Sequence, residues 1–563
     1  MEPQVSIESV NFSDGTTLNL AGDDIVVIVG PNNAGKSAAL RGIRDKLQSR
    51  RNSNPVIGAI TITKHGTSHD VREWLDRWAT QTSSSPGDHV LSALGEHISH
   101  SQVAYHWETE ADSVLELRRF FCHLISGEER LTAANPAPNI ALGHDPASHP
   151  IHFLLRDDSI EKRLSDQFRE AFGVDLIVHR NAGSRVPLYT GERPTLAPGE
   201  DRVSIGYVRR LEELPMLQDQ GDGMRSFASV LLQSTVGRES VLLIDEPEAF
   251  LHPPQARLLG RMLVSSKEVG RQLFIATHSG DVLRGILDAS KNNIRVVRLR
   301  RTSDFNLAKE LSNDEIALLW KDPLLRNSNI LDGLFHERVV ISEGDADSRF
   351  YAAVTDAIYS LRGSEGRRPD VMFTHSSGAS RLSMVQQSLR QLDVPVVTVV
   401  DFDVLRDEHV LRSLITGAGG IWTDIEADWR LVKSSVDARK PSMTLPDIKN
   451  AIQTELSSAT GDALSDVVRR RLNAILKRAS PWGDAKEQGK AYLRSGAPTQ
   501  AFERMSTKLR EWGVFIVYVG ELEGFVRSVD GHGPAWINEV LSEKDLLSPE
   551  LEPARRFVNS FVP

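Results

Sequence analysis

Gly30-Pro31-Asn32-Asn33-Ala34-Gly35-Lys36-Ser37 places a lysine and a serine directly after a glycine-bracketed turn. Backbone N–H groups of such a loop point at phosphate oxygens, and the positive end of the helix that follows favours their charge. Lys36 is expected to reach the β- and γ-phosphates of a nucleoside triphosphate, and the Ser37 hydroxyl to ligate its Mg2+. Much later, Asp245-Glu246 closes an apolar run. Asp245 can hold Mg2+, directly or through water, and Glu246 can polarise the attacking water. His278, in Thr277-His278-Ser279, is placed to hydrogen-bond a γ-phosphate. Gly221-Asp222-Gly223-Met224-Arg225-Ser226 reads either as an anion nest completed by the Ser226 hydroxyl or as a glycine turn with an N-cap.

The second half carries a different chemistry. Glu343, Asp347, Asp401, Asp403, Glu521 and Glu523 all stand at, or one turn beyond, the ends of apolar runs. Carboxylates converging on one sheet edge repel strongly unless hard divalent cations sit between them. All-oxygen ligation suits Mg2+ or Mn2+, and two such ions can activate water and stabilise the leaving oxygen of a phosphodiester. Asp401-Phe402-Asp403 puts both acids on one side of an extended segment. Glu521 and Glu523, in GELEGF, could equally start a helix.

The elements that must position these groups are legible. Ile25–Val29, Val241–Ile244 and Gln272–Ala276 read as buried strands, and helices are expected at Ala38–Ile43 and Pro254–Ser265. Strands alternating with helices imply an α/β sheet with its ligand at the carboxyl ends. Helices are also expected near Val71–Trp78 and Ser159–Phe172, without the heptads of long coiled-coil arms. A second α/β unit begins near Leu331, with strands Arg338–Ser342, Val394–Val400 and Val514–Val519, a helix Ser348–Leu361 and mostly helix from 404 to 510. Arg295, Arg298, Arg300 and Arg301 on a strand, and Arg469, Arg470, Arg471, Lys477 and Arg478 on a helix, could track phosphates or form solvated faces.

The 563 residues carry a formal charge of −10, which argues against a protein that coats nucleic acid over its whole surface. A single cysteine, Cys122, excludes an internal disulfide and a cysteine-built zinc site. No apolar run approaches a membrane span, so a cytoplasmic location is expected.

GPNNAGKS, GDGMRS, LLIDEPEAFLHP and ATHS, in that order, resemble the ATP-binding-cassette ATPases of the SMC-like and OLD (overcoming lysogenization defect) type. The resemblance implies two heads sandwiching ATP, with Gly30, Asn32, Asn33, Ala34, Gly35, Lys36 and Ser37 as phosphate contacts. It implies Asp245 as Mg2+ partner, Glu246 as water activator, His278 as γ-phosphate sensor and Ser226 as the serine reaching the other head's nucleotide. EGDAD, DFD and GELEG resemble a Toprim domain, which implies Glu343, Asp347, Asp401 and Asp403 as metal ligands or base, completed by Glu521 or Glu523. Members commonly carry a lysine near the metals. The turn Ser377-Gly378-Ala379-Ser380 has none, which leaves Lys486 and Lys490 as candidates.

The expected architecture is therefore α/β throughout. An ABC-type head at 1–330, with a helical, dimerising insert at about 65–200, precedes a Toprim parallel-sheet domain at 331–563 with a helical insertion at about 405–510. Expected cofactors are ATP and Mg2+ or Mn2+ at both sites. Expected partners are DNA, a second copy of the chain through the heads and, in some systems, a partner defence protein; no membrane is expected. Resemblance to OLD and Gabija-type nucleases implies metal-dependent DNA cleavage in anti-phage defence. PARIS-type systems resemble the same arrangement and imply transfer RNA; a non-nucleolytic ATPase sensor is the remaining alternative.

Overall fold

The computed structural model describes residues 2–562 apart from 86–87, 94–95, 146, 290–292, 303–304, 312–314, 316–328, 362–366, 377, 440–442, 460–463 and 478–479. The chain divides into two compact units, Met1–Leu318 and Leu319–Pro563.

The first unit is built on a six-stranded sheet in the order Phe305–Leu311, Ile294–Thr302, Ile25–Val29, Gln272–Ala276, Val241–Asp245, Cys122–Ile125. Its four central strands and Cys122–Ile125 run parallel; Phe305–Leu311 adds an antiparallel edge. All five residues of Ile25–Val29 are at most 1% exposed, as expected of a strand covered on both faces. A three-stranded antiparallel sheet, Thr17–Asn19, Gln4–Phe12 and Ile57–His65, packs its apolar side into the same core.

The segment expected as a helical insert is mixed instead. Helices Ser68–Trp78 and Asp158–Phe172 lie where expected. Between them, however, Thr80–Ser85, Asp88–Ala93 and Glu96–Ser99 form an antiparallel sheet, and Cys122–Ile125 joins the main sheet. The short polar strands alternate too weakly for their period to be read, and the edge strand is recognisable only by its partner Val241–Ile244. Among the described residues of this segment no helix is longer than the fifteen residues of Asp158–Phe172.

The second unit holds a four-stranded, all-parallel sheet in the order Val371–His375, Arg338–Ser342, Val396–Val400, Val514–Ile516. Helix Asp345–Leu361 covers one face, packed with Trp536, Ile537, Phe557 and Phe561 of the C-terminal helical segment. Helices Glu408–Gly417, Glu426–Asp437, Leu445–Ser458, Asp466–Lys477, Pro481–Gln488 and Ala497–Glu511 fill the stretch between the last two strands.

The two basic patches fare differently. Arg298 is fully buried and Arg295 lies against Asp24 and Glu310, so the four strand arginines present no common basic face. Arg471 lies 3.5 Å from Glu455, and Arg478 falls outside the described residues.

Candidate active sites

Three adjacent strand ends make the first site. Gly30, at φ 145°, passes so close to the neighbouring strand that a Cβ there would lie 2.2 Å from the Leu299 carbonyl oxygen, so only glycine fits. Gly35, at φ 93°, caps helix Lys36–Gln48. The Lys36 ammonium donates to the carbonyls of Gly30 and Pro31, both at 2.9 Å. Ser37 Oγ donates to Asp245 Oδ1 at 2.9 Å, across 208 residues of chain, which brings the expected Mg2+ pair together. Burial pushes the Asp245 carboxyl up, opposed by the Ser37 hydrogen bond and reinforced by Glu246.

Glu246 has a left-handed backbone, φ 49°, uncommon for a residue with a side chain. It is held on both sides: its N–H donates to the Ala276 carbonyl at 2.8 Å, and Arg130 donates to its own carbonyl. His278 Nδ1 lies 3.4 Å from Glu246 Oε1 and 3.5 Å from Glu248 Oε1, and its backbone N–H donates to the same Glu248 oxygen at 2.9 Å. Burial raises the Glu248 carboxyl, with His278 opposing. Sequence reasoning missed Arg130 and Glu248. The signal for Glu248 was present, as the second glutamate of Asp-Glu-Pro-Glu; Arg130 carried none.

Ser226 requires a correction. Helix Asp222–Val236 begins after Gly221, so the free amides belong to the residues after Gly221, one turn earlier. Ser226 is fully buried with its hydroxyl unpartnered, and it presents nothing outward to a second head. The glycine-turn reading of GDGMRS describes this conformation.

The second site gathers all six of its acids at the carboxyl edge of the other sheet. Glu343 follows Arg338–Ser342, and its Oε1 accepts from the Asp401 N–H at 3.3 Å. Asp347 caps its own helix, accepting from the Gly344 N–H at 2.8 Å. Asp345, by contrast, faces outward against Arg349. Lys486 Nζ bridges Asp401 Oδ2 at 2.7 Å and Asp403 Oδ1 at 3.3 Å. Lys490 instead pairs with Glu503 at the surface. No lysine comes from the turn at 377–380, where Ser377 lies outside the described residues.

Lys486 arrives from a helix 83 residues beyond Asp403, and two glycines seat it. A Cβ on Gly520 (φ 114°) would lie 2.0 Å from the Lys486 carbonyl oxygen, and one on Gly489 would lie 2.3 Å from the Tyr518 carbonyl oxygen. The Phe402 N–H donates to the Gly520 carbonyl at 2.8 Å, tying the Asp401 loop to the same turn. Leu522–Phe525 does form a single helical turn. Even so, Glu521 is 8% exposed, and Glu523 Oε1 accepts from the Gly533 N–H at 3.0 Å with His532 Nδ1 at 3.3 Å. His532 carried no motif that sequence reasoning could use.

Burial first, then neighbouring acids, pushes the Glu343, Asp347 and Glu521 carboxyls up to about 7. Asp401 is raised by burial too, with Lys486 opposing. Burial alone would lower the Lys486 ammonium, but Asp401 and Asp403 outweigh it and raise it. Acids this crowded, with one ammonium among them, have the donor chemistry and the unmet charge of a site for hard divalent cations.

The sign of the pH dependence follows. A carboxyl whose folded pKa is raised takes up a proton on folding between its unfolded pKa and about 7, so stability falls as pH rises through that window. Metal-free protein should be less stable at pH 8 than at pH 6, by on the order of 1 kcal/mol for Glu343 alone, and should melt at a lower temperature. Mg2+ or Mn2+ should restore more at pH 8. Equal melting temperatures in chelator at both pH values, flattened no further by Glu343→Gln, would contradict this.

The fold and first site define a P-loop nucleotide-binding unit, joined in one chain to a parallel sheet whose edge is lined with acids. The chain is similar to the ATPase-nucleases of the OLD family. It is 26% identical over 328 residues to the Old nuclease of Escherichia phage P2, covering 56% of this chain and 49% of that protein, so it spans about half of that relative's length. It is 33% identical over 99 residues to the uncharacterized protein MJECL11 of Methanocaldococcus jannaschii, 17% of this chain and 86% of that one. The family model described as "AAA domain, putative AbiEii toxin, Type IV TA system" matches residues 61–284. Among solved structures, the Smc head bound to the C-winged helix domain of ScpA aligns at 10% identity and TM-score 0.35, over 56% of this chain and 99% of that one. The SMC head domain from Thermotoga maritima aligns at 10% identity and TM-score 0.27, over 55% and 100%.

Proposed function

We propose that the chain is an ATP-hydrolysing, metal-dependent nuclease of the Toprim kind that cleaves DNA phosphodiesters under control of its nucleotide state, in anti-phage defence. One observation carries the nuclease half: Lys486 bridging Asp401 and Asp403 while Glu343 accepts from the Asp401 N–H. Glu343, Asp347, Asp401 and Asp403, with Glu521 or Glu523 at the rim, would hold two Mg2+ or Mn2+ ions, which would supply a polarised water and neutralise the leaving oxygen. Lys486 places a fixed positive charge beside the pair, where negative charge on the phosphate grows during displacement.

In the first unit Lys36 and the loop amides bind the phosphates, while Ser37 and Asp245 hold the Mg2+ that accompanies ATP. Glu246 accepts a proton from the attacking water and His278 donates towards the γ-phosphate. Two such units pairing around ATP make the expected homodimer.

The test is plasmid DNA with Mg2+ or Mn2+, with and without ATP, beside transfer RNA under the same conditions. Cleavage of plasmid supports the reading; cleavage of transfer RNA alone moves the substrate to RNA; cleavage of neither refutes a nuclease. Gly520→Ala provides a second check, because its Cβ collides with the Lys486 backbone. An ångström of misplacement can cost about 100-fold, so cleavage should fall by about that factor with ATP turnover kept. Unchanged cleavage would remove Lys486 from the reaction.

A further inference from the structure

Away from both sites, Asp76, His89 and His100 converge from three elements of the first unit. Asp76 lies near the end of helix Ser68–Trp78, His89 is the second residue of strand Asp88–Ala93, and His100 follows strand Glu96–Ser99. The strands pair Val90 with Ser99, so His89 and His100 face each other one step further along. Their rings stack with centroids 4.4 Å apart, and both turn Nε2 toward one carboxylate: His89 lies 3.7 Å from Asp76 Oδ1, and His100 lies 3.6 Å from Asp76 Oδ2. One ligand atom from each of the three residues falls within a mutual 4.8 Å. Gln81 Nε2 donates to Asp76 Oδ1 at 3.2 Å, orienting the carboxylate.

These separations are informative. A hydrogen bond from an imidazole N–H to a carboxylate would close to about 3.2 Å or less. Ligand atoms sharing a tetrahedral ion, each bonded at about 2.0–2.2 Å, stand about 3.4 Å apart. The two histidine–carboxylate distances, 3.7 and 3.6 Å, lie nearer the spacing of ligands around an ion than that of a hydrogen bond. Two imidazoles and one carboxylate form a borderline-soft donor set, which prefers Zn2+ or Co2+ to the Mg2+ of all-oxygen sites.

We propose that Asp76, His89 and His100 form a transition-metal site, filled by Zn2+ with a fourth position open to water. The ion clips the three-stranded sheet to helix Ser68–Trp78 at the polar edge beside the core packing of Leu91, Ala93 and Ile98. This site stands independently of the nuclease and of the ATPase.

The test uses the full chain and Co2+ as a spectroscopic substitute for Zn2+. The expected result is the intense visible absorption of four-coordinate Co2+, erased by Zn2+. His89→Gln and His100→Gln should each weaken Zn2+ binding by more than about 100-fold, since even the partners of ligands are worth 10–100-fold. The His532→Ala variant should keep the band, which separates this site from the Glu521–Glu523–His532 group. Asp76→Asn, at a more exposed position, serves if a histidine variant fails to fold. Only the weak spectrum of six-coordinate Co2+ in the wild type, an intense band surviving in the substituted variants, or its loss in His532→Ala would each overturn the proposal.

Discussion

Asp401→Asn should abolish metal-dependent phosphodiester cleavage, by at least about 1,000-fold on the scale of removing a preorganised charge-stabilising group, and should leave the fold as stable or more so. The two halves of this expectation have one cause. Asp401 is largely buried, and its carboxyl is raised by that burial even though Lys486 donates to it at 2.7 Å. In the metal-free protein its negative charge is therefore a net cost, which a neutral amide of the same shape removes. Cations reverse that balance, because they need the charge that the amide lacks. Thermal melts in chelator and plasmid nicking in Mn2+ measure the two effects separately. A variant that nicks at the wild-type rate would remove Asp401 from the site. One that melts far below the wild type would show that the Lys486 bridge outweighs the repulsion.

Glu246→Gln should slow ATP turnover by about 100- to 10,000-fold, the range of a lost general base, with little change in ATP affinity. Its backbone stays in place through the Ala276 and Arg130 hydrogen bonds, and the amide keeps the size of the acid. Lys36, Ser37 and Asp245, which hold nucleotide and Mg2+, are untouched. ATP should therefore accumulate unhydrolysed, and any head-to-head dimer that ATP supports should persist; gel filtration with ATP reads this directly. Turnover at the wild-type rate would pass the role of base to another group, with Glu248 next in line because the same histidine engages it.

Local order made much of this legible. The phosphate loop, the strand ending in Asp245 and the strands ending in Glu343 and Asp401 are contiguous runs whose apolar period and terminal residue lie within a dozen positions. A sequence determines such features because they depend on neighbours along the chain. Convergence of the acids could also be anticipated, since parallel strands share a carboxyl edge.

Tertiary structure alone decided the rest. Which lysine serves Asp401 depends on Gly520 and Gly489 admitting a helix against a turn, a matter of backbone clearance that no local pattern records. Cys122–Ile125 became a sheet strand through its partner and not its composition. Ser226 was misread because a motif fixes where a helix begins, while burial of its face depends on what packs against it. Asp76, His89 and His100 met through strand register. Chemistry written in one stretch of chain can be read there; chemistry assembled across stretches exists only once packing has chosen the neighbours.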